Sequence, residues 1–230
     1  MRFSYALLAS IAAVSLVPAA ALANTKPEVA ADRSVAEAEK ADAIYSQIFK
    51  ELVTDSPETM TALGLDQTPK GSWAKELLDD RSLEAQEKDI DRSDRWLRLL
   101  NGVERRDLSG MDRVNYDSVR FQFALDAEAA RRFPYGIRGV PKPYVVSQQN
   151  GAYQDIPDLL RSQHSIATEA DAQAYLKRLT AFAGALDQET HQIDHDATKG
   201  IYPPSFIIDR TVALLRQIRE GRAKDSELVS

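Results

Sequence analysis

Apolar side chains recur every three or four positions along most of the chain, which is the spacing of one face of an α-helix. This pattern predicts an amphipathic helix over residues 35–52 and a longer one from 83 to 103. Between them, Ser56 and Pro57 predict the start of a short helix, because serine caps helices and proline fits their first turn. Gly64 then supplies a residue that can end this short helix.

A helix with two apolar flanks is predicted between Ser109 and Pro134. Ser109 is followed three residues later by Asp112, an acidic residue in the position that completes a capping box. The two flanks carry Val114, Phe121 and Leu125 on one side and Tyr116, Val119 and Phe123 on the other. Large apolar side chains on both flanks predict a central helix that packs against neighbours on both sides.

Three more helices are predicted after residue 150. The first is short and covers residues 155–164, with Pro157 in its first turn. The second starts at Thr168-Glu169-Ala170-Asp171, which again has the spacing of a capping box, and it ends at Gly200. The third follows Pro204 and continues to about residue 218, because apolar side chains again recur at helical spacing there.

The predicted fold class is all-α, a bundle or array of helices. No segment alternates polar and apolar side chains as a strand would, and the sequence has no repeat of fixed length. One long irregular connection, at about residues 134–155, interrupts the helices. Prolines hold its first part extended, and Gly151 can adopt a positive φ that other residues resist.

This connection contains the polar run Gln148, Gln149 and Asn150 directly before Gly151. Loops on a helical scaffold often carry function, and amide side chains can bond the backbone of a bound peptide. These three residues are therefore candidate substrate contacts. The alternative is that they serve only turn chemistry, for which asparagine beside glycine is typical.

The composition is that of a globular protein, with 43% hydrophobic and 28% charged residues. We expect one helical domain over residues 35–230, after a flexible lead-in at 24–34. A formal net charge of −6 without a basic run argues against nucleic acid or an anionic membrane surface as a partner. The chain has no cysteine, which excludes disulfides, thiolate metal ligands and cysteine nucleophiles.

The N-terminus has the three parts of a secretory signal peptide. Arg2 provides the positive region, residues 5–17 form the apolar region, and Ala21-Leu22-Ala23 fits the small-x-small cleavage rule. Pro18 ends the apolar run well short of the roughly 20 residues that span a bilayer. The sequence therefore predicts a signal peptide over residues 1–23, cleavage after Ala23, and a periplasmic or secreted protein without a membrane anchor.

One group of residues has the spacing of a metal site. Asp187, His191 and His195 are four residues apart on the predicted helix, so two imidazoles and a carboxylate could reach one divalent ion. They lie opposite the apolar stripe, and the segment lacks the glutamate of a His-Glu-x-x-His zinc helix. We interpret the group as a solvated face and assign no residue as a metal ligand or as catalytic. His164 is interpreted as a helix cap or a surface residue.

Several blocks of sequence, taken in order from about Ala41 to Ile218, carry a family resemblance. They are Ser56-Pro57-Glu58, Thr61-Ala62-Leu63-Gly64-Leu65, the segment from Pro143 to Gly151, Ile156-Pro157-Asp158-Leu159-Leu160, the segment from Asp171 to Leu179, Gly200 and Pro203. Together they resemble the bacterial domain of unknown function 885 family, whose members are exported proteins similar to zinc metallopeptidases.

The resemblance implies an almost entirely helical fold, a location outside the cytoplasm and a His-Glu-x-x-His zinc motif in a C-terminal half. No residue of this chain matches the zinc ligands or the general-base glutamate, so none is carried over as catalytic. We therefore expect the chain to be the N-terminal part of a longer protein, with zinc as a cofactor only if a C-terminal half exists.

Three classes of function follow from these expectations. In the first, the chain forms part of the wall of the substrate cleft in a metallopeptidase-like hydrolase, with a peptide as the substrate. In the second, it is a non-catalytic periplasmic helical module that binds or interacts with a partner. A small metal carrier using His191 and His195 is the third. The sequence leaves the substrate and the oligomeric state open.

Overall fold

The computed structural model describes residues 27–137, 142–226 and 228, and these contain seven α-helices and no strand. The helices are α1 (Pro27–Asp55), α2 (Pro57–Ala62), α3 (Leu83–Leu100), α4 (Gly110–Arg132), α5 (Ala152–Ser162), α6 (Glu169–Thr198) and α7 (Ser205–Glu220). The predicted all-α class is confirmed. The predicted signal peptide and its cleavage site after Ala23 lie outside the described residues. None of the helices in the described part is both long and apolar enough to cross a membrane.

The helix α1 starts earlier than its apolar pattern predicts. It begins at Pro27 rather than near residue 35, so residues 27–34, which were assigned to a flexible lead-in, are helical. Proline fits the first turn of a helix, and the alanines and glutamate that follow have high helix propensity. Local helix propensity therefore extends α1 beyond the segment that its apolar pattern marks.

Helices α1, α3 and α4 form one bundle around an apolar core. Trp96 and Leu100 of α3 are almost completely buried there, at 1% and 0% exposure. The Trp96 ring packs edge-on against Phe123 of α4, with 5.1 Å between the ring centroids. Its indole N–H donates to Glu51 of α1 at 2.8 Å, so the one polar atom of this side chain is also satisfied.

Two predictions for α4 are wrong. The hydroxyl of Ser109 makes no capping bond and lies 3.4 Å from that of Ser34 instead, so the capping box does not form. Only one flank of the helix is packed, because Val114, Phe121 and Leu125 are exposed. The opposite flank packs against the bundle through Tyr116, Val119 and Phe123. Periodicity marks a helix face as apolar but does not say whether another element covers it.

Helices α2, α5 and α6, with the 3-10 turn Ser72–Glu76, form a second unit that we call the α2–α5–α6 unit. Its apolar core is small and consists of Ala152, Ile156, Leu160 and Ala185. The predicted capping box at the start of α6 is confirmed, because Thr168 and Asp171 bond each other's backbone reciprocally. Ser56 caps α2 as predicted.

The helix α5 begins at Ala152, three residues before its predicted start. Pro157 consequently lies inside the helix and not in its first turn, which corrects the prediction. The last helix, α7, is attached loosely, since Thr211 is its one buried residue. Most of its large apolar side chains, such as Phe206 and Ile218, are exposed.

Candidate functional site

The irregular connection before α5 is folded around Asn150. The amide Nδ2 of Asn150 donates to the carbonyls of Tyr144 and Val145 at 3.0 and 2.7 Å. Its Oδ1 accepts from the Ser147 hydroxyl at 2.5 Å, and the residue is buried. Both polar atoms of the Asn150 side chain are thus used within the loop, where they fix its shape.

The two glutamines beside Asn150 are placed differently. Gln148 is half-buried, and its backbone carbonyl accepts a hydrogen bond from the side-chain amide of Gln154 on α5 at 3.1 Å. The side chain of Gln149 is exposed, while its backbone N–H donates to the Ser147 hydroxyl. The structure therefore leaves Gln149 at the surface and ties Gln148 to the start of α5. Their role as substrate contacts stays a prediction.

Gly151 ends the connection with the positive φ that the sequence predicts. Its φ of 129° and ψ of 153° lie in a region that glycine alone adopts readily. A side chain at this position would also meet the Tyr153 ring at 3.2 Å and Val146 at 3.3 Å. The conformation lets the chain turn directly from the loop into α5.

Helix α6 holds the connection at both ends with buried carboxylates. At the first end, Asp196 accepts from the N–H of Gly136 at 2.7 Å. At the second, both oxygens of Glu189 accept from the N–H of Ala152 at 2.8 and 2.9 Å. Because that N–H is otherwise unpaired at the start of a helix, Glu189 explains why α5 begins at Ala152.

The carboxyl group of Glu189 has a raised pKa. Glu189 is 5% exposed, and burial raises the pKa of its carboxyl from 4.5 to about 7. The Ala152 N–H and the positive charge of Arg81 oppose this rise in pKa. Arg81, however, is engaged mainly with Glu58, at 2.7 and 2.9 Å, and its Nε lies 3.7 Å from Glu189. Two carboxylates thus share one guanidinium, and Glu189 has the weaker contact.

A second buried charge lies nearer the start of α6. Arg178 is fully buried, and burial lowers the pKa of its guanidinium. It donates mainly to uncharged acceptors, which are the carbonyls of Pro57, Ala74 and Leu77, the Thr61 hydroxyl and the His164 ring. These acceptors come from three separate segments of chain, which are α2, the Ser72–Glu76 turn with Leu77, and the residues after α5. Arg178 therefore ties α2 and the Ser72–Glu76 turn to α6.

His164 belongs to this cluster, so its interpretation as a cap or surface residue is wrong. Its Nδ1 lies 3.2 Å from Arg178 and its Nε2 lies 3.0 Å from the carbonyl of Asp171. A guanidinium can only donate, so we assign Nδ1 as acceptor and Nε2 as donor, which is the neutral ring. Burial lowers the pKa of His164, in agreement with this assignment.

Arg178 and Glu189 were not among the candidate residues, because only apolar side chains were used to define the buried face of α6. A signal was nevertheless present in the spacing. The buried positions of α6 follow one another at intervals of three, four, seven, four, three and four; they are Asp171, Ala174, Arg178, Ala185, Glu189, Gln192 and Asp196. This is the period of a packed helix face. Periodicity in polar residues, read beside the apolar stripe, would have marked a second buried side of α6.

The residues considered for a metal site do not form one. Asp187 and His191 are exposed, whereas His195 is half-buried with its Nδ1 3.6 Å from Asp196. Across the described residues, no group of three or more histidine, aspartate or glutamate side chains is arranged to hold a metal ion. Two histidines on an exposed helix face do not fit the three protein ligands that a catalytic zinc requires.

Two clefts lie on either side of α5, and Gln154 lines both. The first, of about 510 Å³, lies between α2 and α5 and is acidic through Glu58, Asp79 and two aspartates of α5. Burial and the neighbouring Glu58 raise the pKa of Asp79. The second cleft, of about 840 Å³, lies between α5, α6 and α7 and has apolar and amide side chains in its lining. The irregular connection is thus linked to both clefts, because its residue Gln148 is hydrogen-bonded to Gln154.

The buried charges face structural partners, and the second cleft has a volume typical of small-molecule and peptide sites. No curated protein and no solved structure matches the chain. The family model described as bacterial protein of unknown function (DUF885) matches residues 57–230, which is more than half of the chain. The helical architecture and this match lead to one conclusion, that the chain belongs to the DUF885 family.

Proposed function

We propose that the chain is a helical segment of a periplasmic metallopeptidase-like hydrolase, in which it forms part of the wall of the substrate cleft. It supplies no zinc ligand. The observation that carries this proposal is the cleft of about 840 Å³ beside α5, whose volume lies within the range of binding sites. The membership of the DUF885 family supports it, because the resemblance to that family implies a metallopeptidase-like protein.

The apolar side chains that remain exposed on α4 and α7 also support a role within a larger assembly. Phe121 is 66% exposed and Phe206 is 59% exposed, and each has further exposed apolar neighbours on its helix. Contiguous apolar surfaces of this kind are commonly covered by another domain or partner. In the proposed protein, a catalytic domain covers these faces and closes the cleft.

The proposed location is the periplasm, after cleavage behind Ala23. The support is the positive, apolar and small-residue order of residues 1–23. Intact mass of the protein from an osmotic-shock fraction tests this part, with a mature N-terminus at Asn24 as the expected result. Retention of residues 1–23 in the membrane fraction would contradict it.

The direct test of the whole proposal is the native product. Antibodies raised against this chain isolate the native protein from the organism that encodes it. The intact mass and the zinc content of the isolated protein are then measured. The expected product is heavier than the 25.6 kDa chain and holds zinc. A native product of 230 residues or fewer that binds peptide without hydrolysing it would favour the alternative, a non-catalytic binding module.

A second test uses the chain alone. Residues 24–230, dialysed with zinc, are expected to retain no stoichiometric metal and to hydrolyse no peptide. The double variant His191→Ala with His195→Ala should behave the same, because both side chains lie at or near the surface. Stoichiometric zinc that is lost in the double variant, or turnover that a chelator inhibits, would show that α6 carries a metal site.

A further inference from the structure

Leu228 lies against the small apolar core between α5 and α6. It packs, partly buried, on the cluster of Ala152, Ile156, Leu160 and Ala185. Its backbone oxygen accepts a hydrogen bond from the Tyr175 hydroxyl at 2.8 Å. The contacts thus combine an apolar surface for the side chain with a donor for the main-chain carbonyl. Any leucine within a peptide presents the same two groups.

We propose that this place, the Leu228 pocket, is a binding site for an aliphatic side chain of a peptide segment. The pocket is defined by Tyr175, Phe182 and the four residues of the cluster between α5 and α6. Leu228 fills it in the structure and so shows the chemistry of the ligand. A peptide from elsewhere would place a leucine-like side chain on the cluster and its carbonyl at the Tyr175 hydroxyl.

The cleft of about 840 Å³ opens directly beside Leu228 and gives such a peptide room to continue. Phe182 and Ile218 offer apolar contacts along it, and Gln217 offers an amide for the peptide backbone. The site therefore has the composition of a peptide groove, with an anchoring pocket at one end.

The charges in the cleft favour an uncharged side chain in the pocket. Arg161 is paired with Asp158 at 2.8 Å, and Arg222 is paired with Asp225 at 2.5 Å. Each arginine thus has a carboxylate within its own helix or turn. A charged ligand side chain would lose its hydration on the apolar cluster without gaining an unpaired partner. The pocket consequently selects leucine over aspartate or lysine.

Leu228 competes with any peptide because it belongs to the same chain. A short tether gives it an effective concentration in the millimolar range, so weak ligands cannot displace it. Removing the Leu228 side chain frees the pocket while leaving the cluster intact. This inference concerns binding alone and holds whether or not the protein takes part in hydrolysis.

The experiment measures binding of a fluorescent peptide, Asp-Ser-Glu-Leu-Val-Ser, to the full chain and to Leu228→Ser. The peptide repeats residues 225–230 of the chain itself. We expect Leu228→Ser to bind it at least about tenfold more tightly than the wild type does, because the internal competitor is removed. A peptide with aspartate in place of leucine should not bind. Leu176→Ser, which changes an exposed leucine on α6, is the control and should bind like the wild type.

Equal affinity of the wild type and Leu228→Ser, or equal affinity for the leucine and aspartate peptides, would overturn the inference. A second variant tests it in case Leu228→Ser does not fold. Tyr175→Phe removes the hydroxyl that holds the Leu228 carbonyl. Trypsin should then cleave after Lys224 about two- to tenfold faster than in the wild type, the effect of one lost hydrogen bond. Tyr202→Phe, an exposed tyrosine whose hydroxyl bonds Ala197, is the control, and an unchanged rate in Tyr175→Phe would also overturn the inference.

Discussion

Trp96 in the α1–α3–α4 bundle and Arg178 in the α2–α5–α6 unit are buried to nearly the same degree, at 1% and 0% exposure. The surroundings of the two side chains are opposite in kind. Trp96 packs on apolar and aromatic neighbours, and the charged pairs of the bundle, such as Arg105 with Asp117, lie at its exposed rim. Arg178 instead meets carbonyls, a hydroxyl and an imidazole.

This difference indicates how strictly each region fixes the positions of the elements it contains. An apolar core tolerates small shifts of packing, whereas buried hydrogen bonds fail unless every partner is in place. The α2–α5–α6 unit therefore fixes the position of the connection and of α5 more strictly than apolar packing would. A strictly fixed geometry suits the α2–α5–α6 unit, because this unit borders both clefts. The α1–α3–α4 bundle supports the unit.

The largest expected effect is in the bundle. Trp96→Ala should destabilise the protein by about 3 to 5 kcal/mol, because it leaves a cavity and removes the contact with Phe123. The loss should be the same at pH 5 and pH 8. Its polar partner Glu51 has a pKa lowered to about 2, chiefly by hydrogen bonding to Arg95. Urea unfolding measures the change. Trp73→Ala, at an exposed position, is the control, and equal losses for the two variants would refute the contrast.

The next effect should come from the buried cation. Arg178→Met is expected to cost about 3 kcal/mol, since buried acceptors such as the Thr61 hydroxyl and the Ala74 carbonyl lose their donor. Arg178→Lys should recover only part of this loss, because one ammonium cannot reproduce the planar fork. Lys177→Met changes an exposed ion pair one residue away and should stay within about 0.5 kcal/mol. An Arg178→Met variant as stable as Lys177→Met in urea would show that the cluster contributes little.

The two regions should also differ in their response to pH. The folded pKa of Glu189, about 7, lies above its ordinary 4.5, so between these values the folded protein holds a proton that the unfolded chain releases. Its contribution to stability is full below pH 4.5 and is lost as the pH rises through about 7, with an upper bound of about 3 kcal/mol. Glu189→Gln should remove this decline between pH 5 and pH 8.

The measurement is the difference in unfolding free energy between wild type and variant across that pH range. His164 acts with the opposite sign, since its lowered pKa makes stability fall as the pH drops below its ordinary 6.5, but it is present in both proteins. The exposed Asp187→Asn, on the same helix, is the control and should follow the wild type. Parallel pH profiles for wild type and Glu189→Gln would contradict the assignment.

The smallest effect should come from the loop that the polar unit holds. Gly151→Val is expected to lose about 1 to 2 kcal/mol, because a β-branched residue resists a φ of 129°. Gln149→Ala, at an exposed position in the same loop, should change the stability by less than about 0.5 kcal/mol. Equal melting temperatures for the two variants would show that the backbone at Gly151 is not constrained.

The sequence predicted those features that depend on neighbouring residues. Helix α3 begins after Ser82 as expected, Gly64 ends α2 with a φ of 68°, and the capping box of α6 is formed. The positive φ of Gly151 also followed from local chemistry, because glycine has no Cβ to oppose it. Caps and turns are made within a few residues, so a single sequence carries the information for them.

Features that depend on distant partners were predicted poorly. The sequence analysis made no prediction for Arg178 and Glu189, because their partners lie 14 to 121 residues away in the chain. The same limit applies to α4, where an apolar flank was expected to be packed and is exposed at Phe121. The sequence correctly placed Gln148, Gln149 and Asn150 in an irregular connection, but their role as substrate contacts stays a prediction. The bonds that occupy Asn150 could not be predicted from its sequence neighbours.

The two carboxylates on α6 have a consequence for synthesis on the ribosome. Gly136 is held by Asp196, a residue 60 positions later in the chain. At a translation rate of 5 to 20 residues per second, about 3 to 12 s separate the synthesis of the two partners. Nascent chains arrested before Asp196 should therefore be cut by protease within the connection, and chains arrested well beyond α6 should resist it. Whatever contacts this loop during that interval, whether a chaperone or an export factor, meets it before its final shape exists.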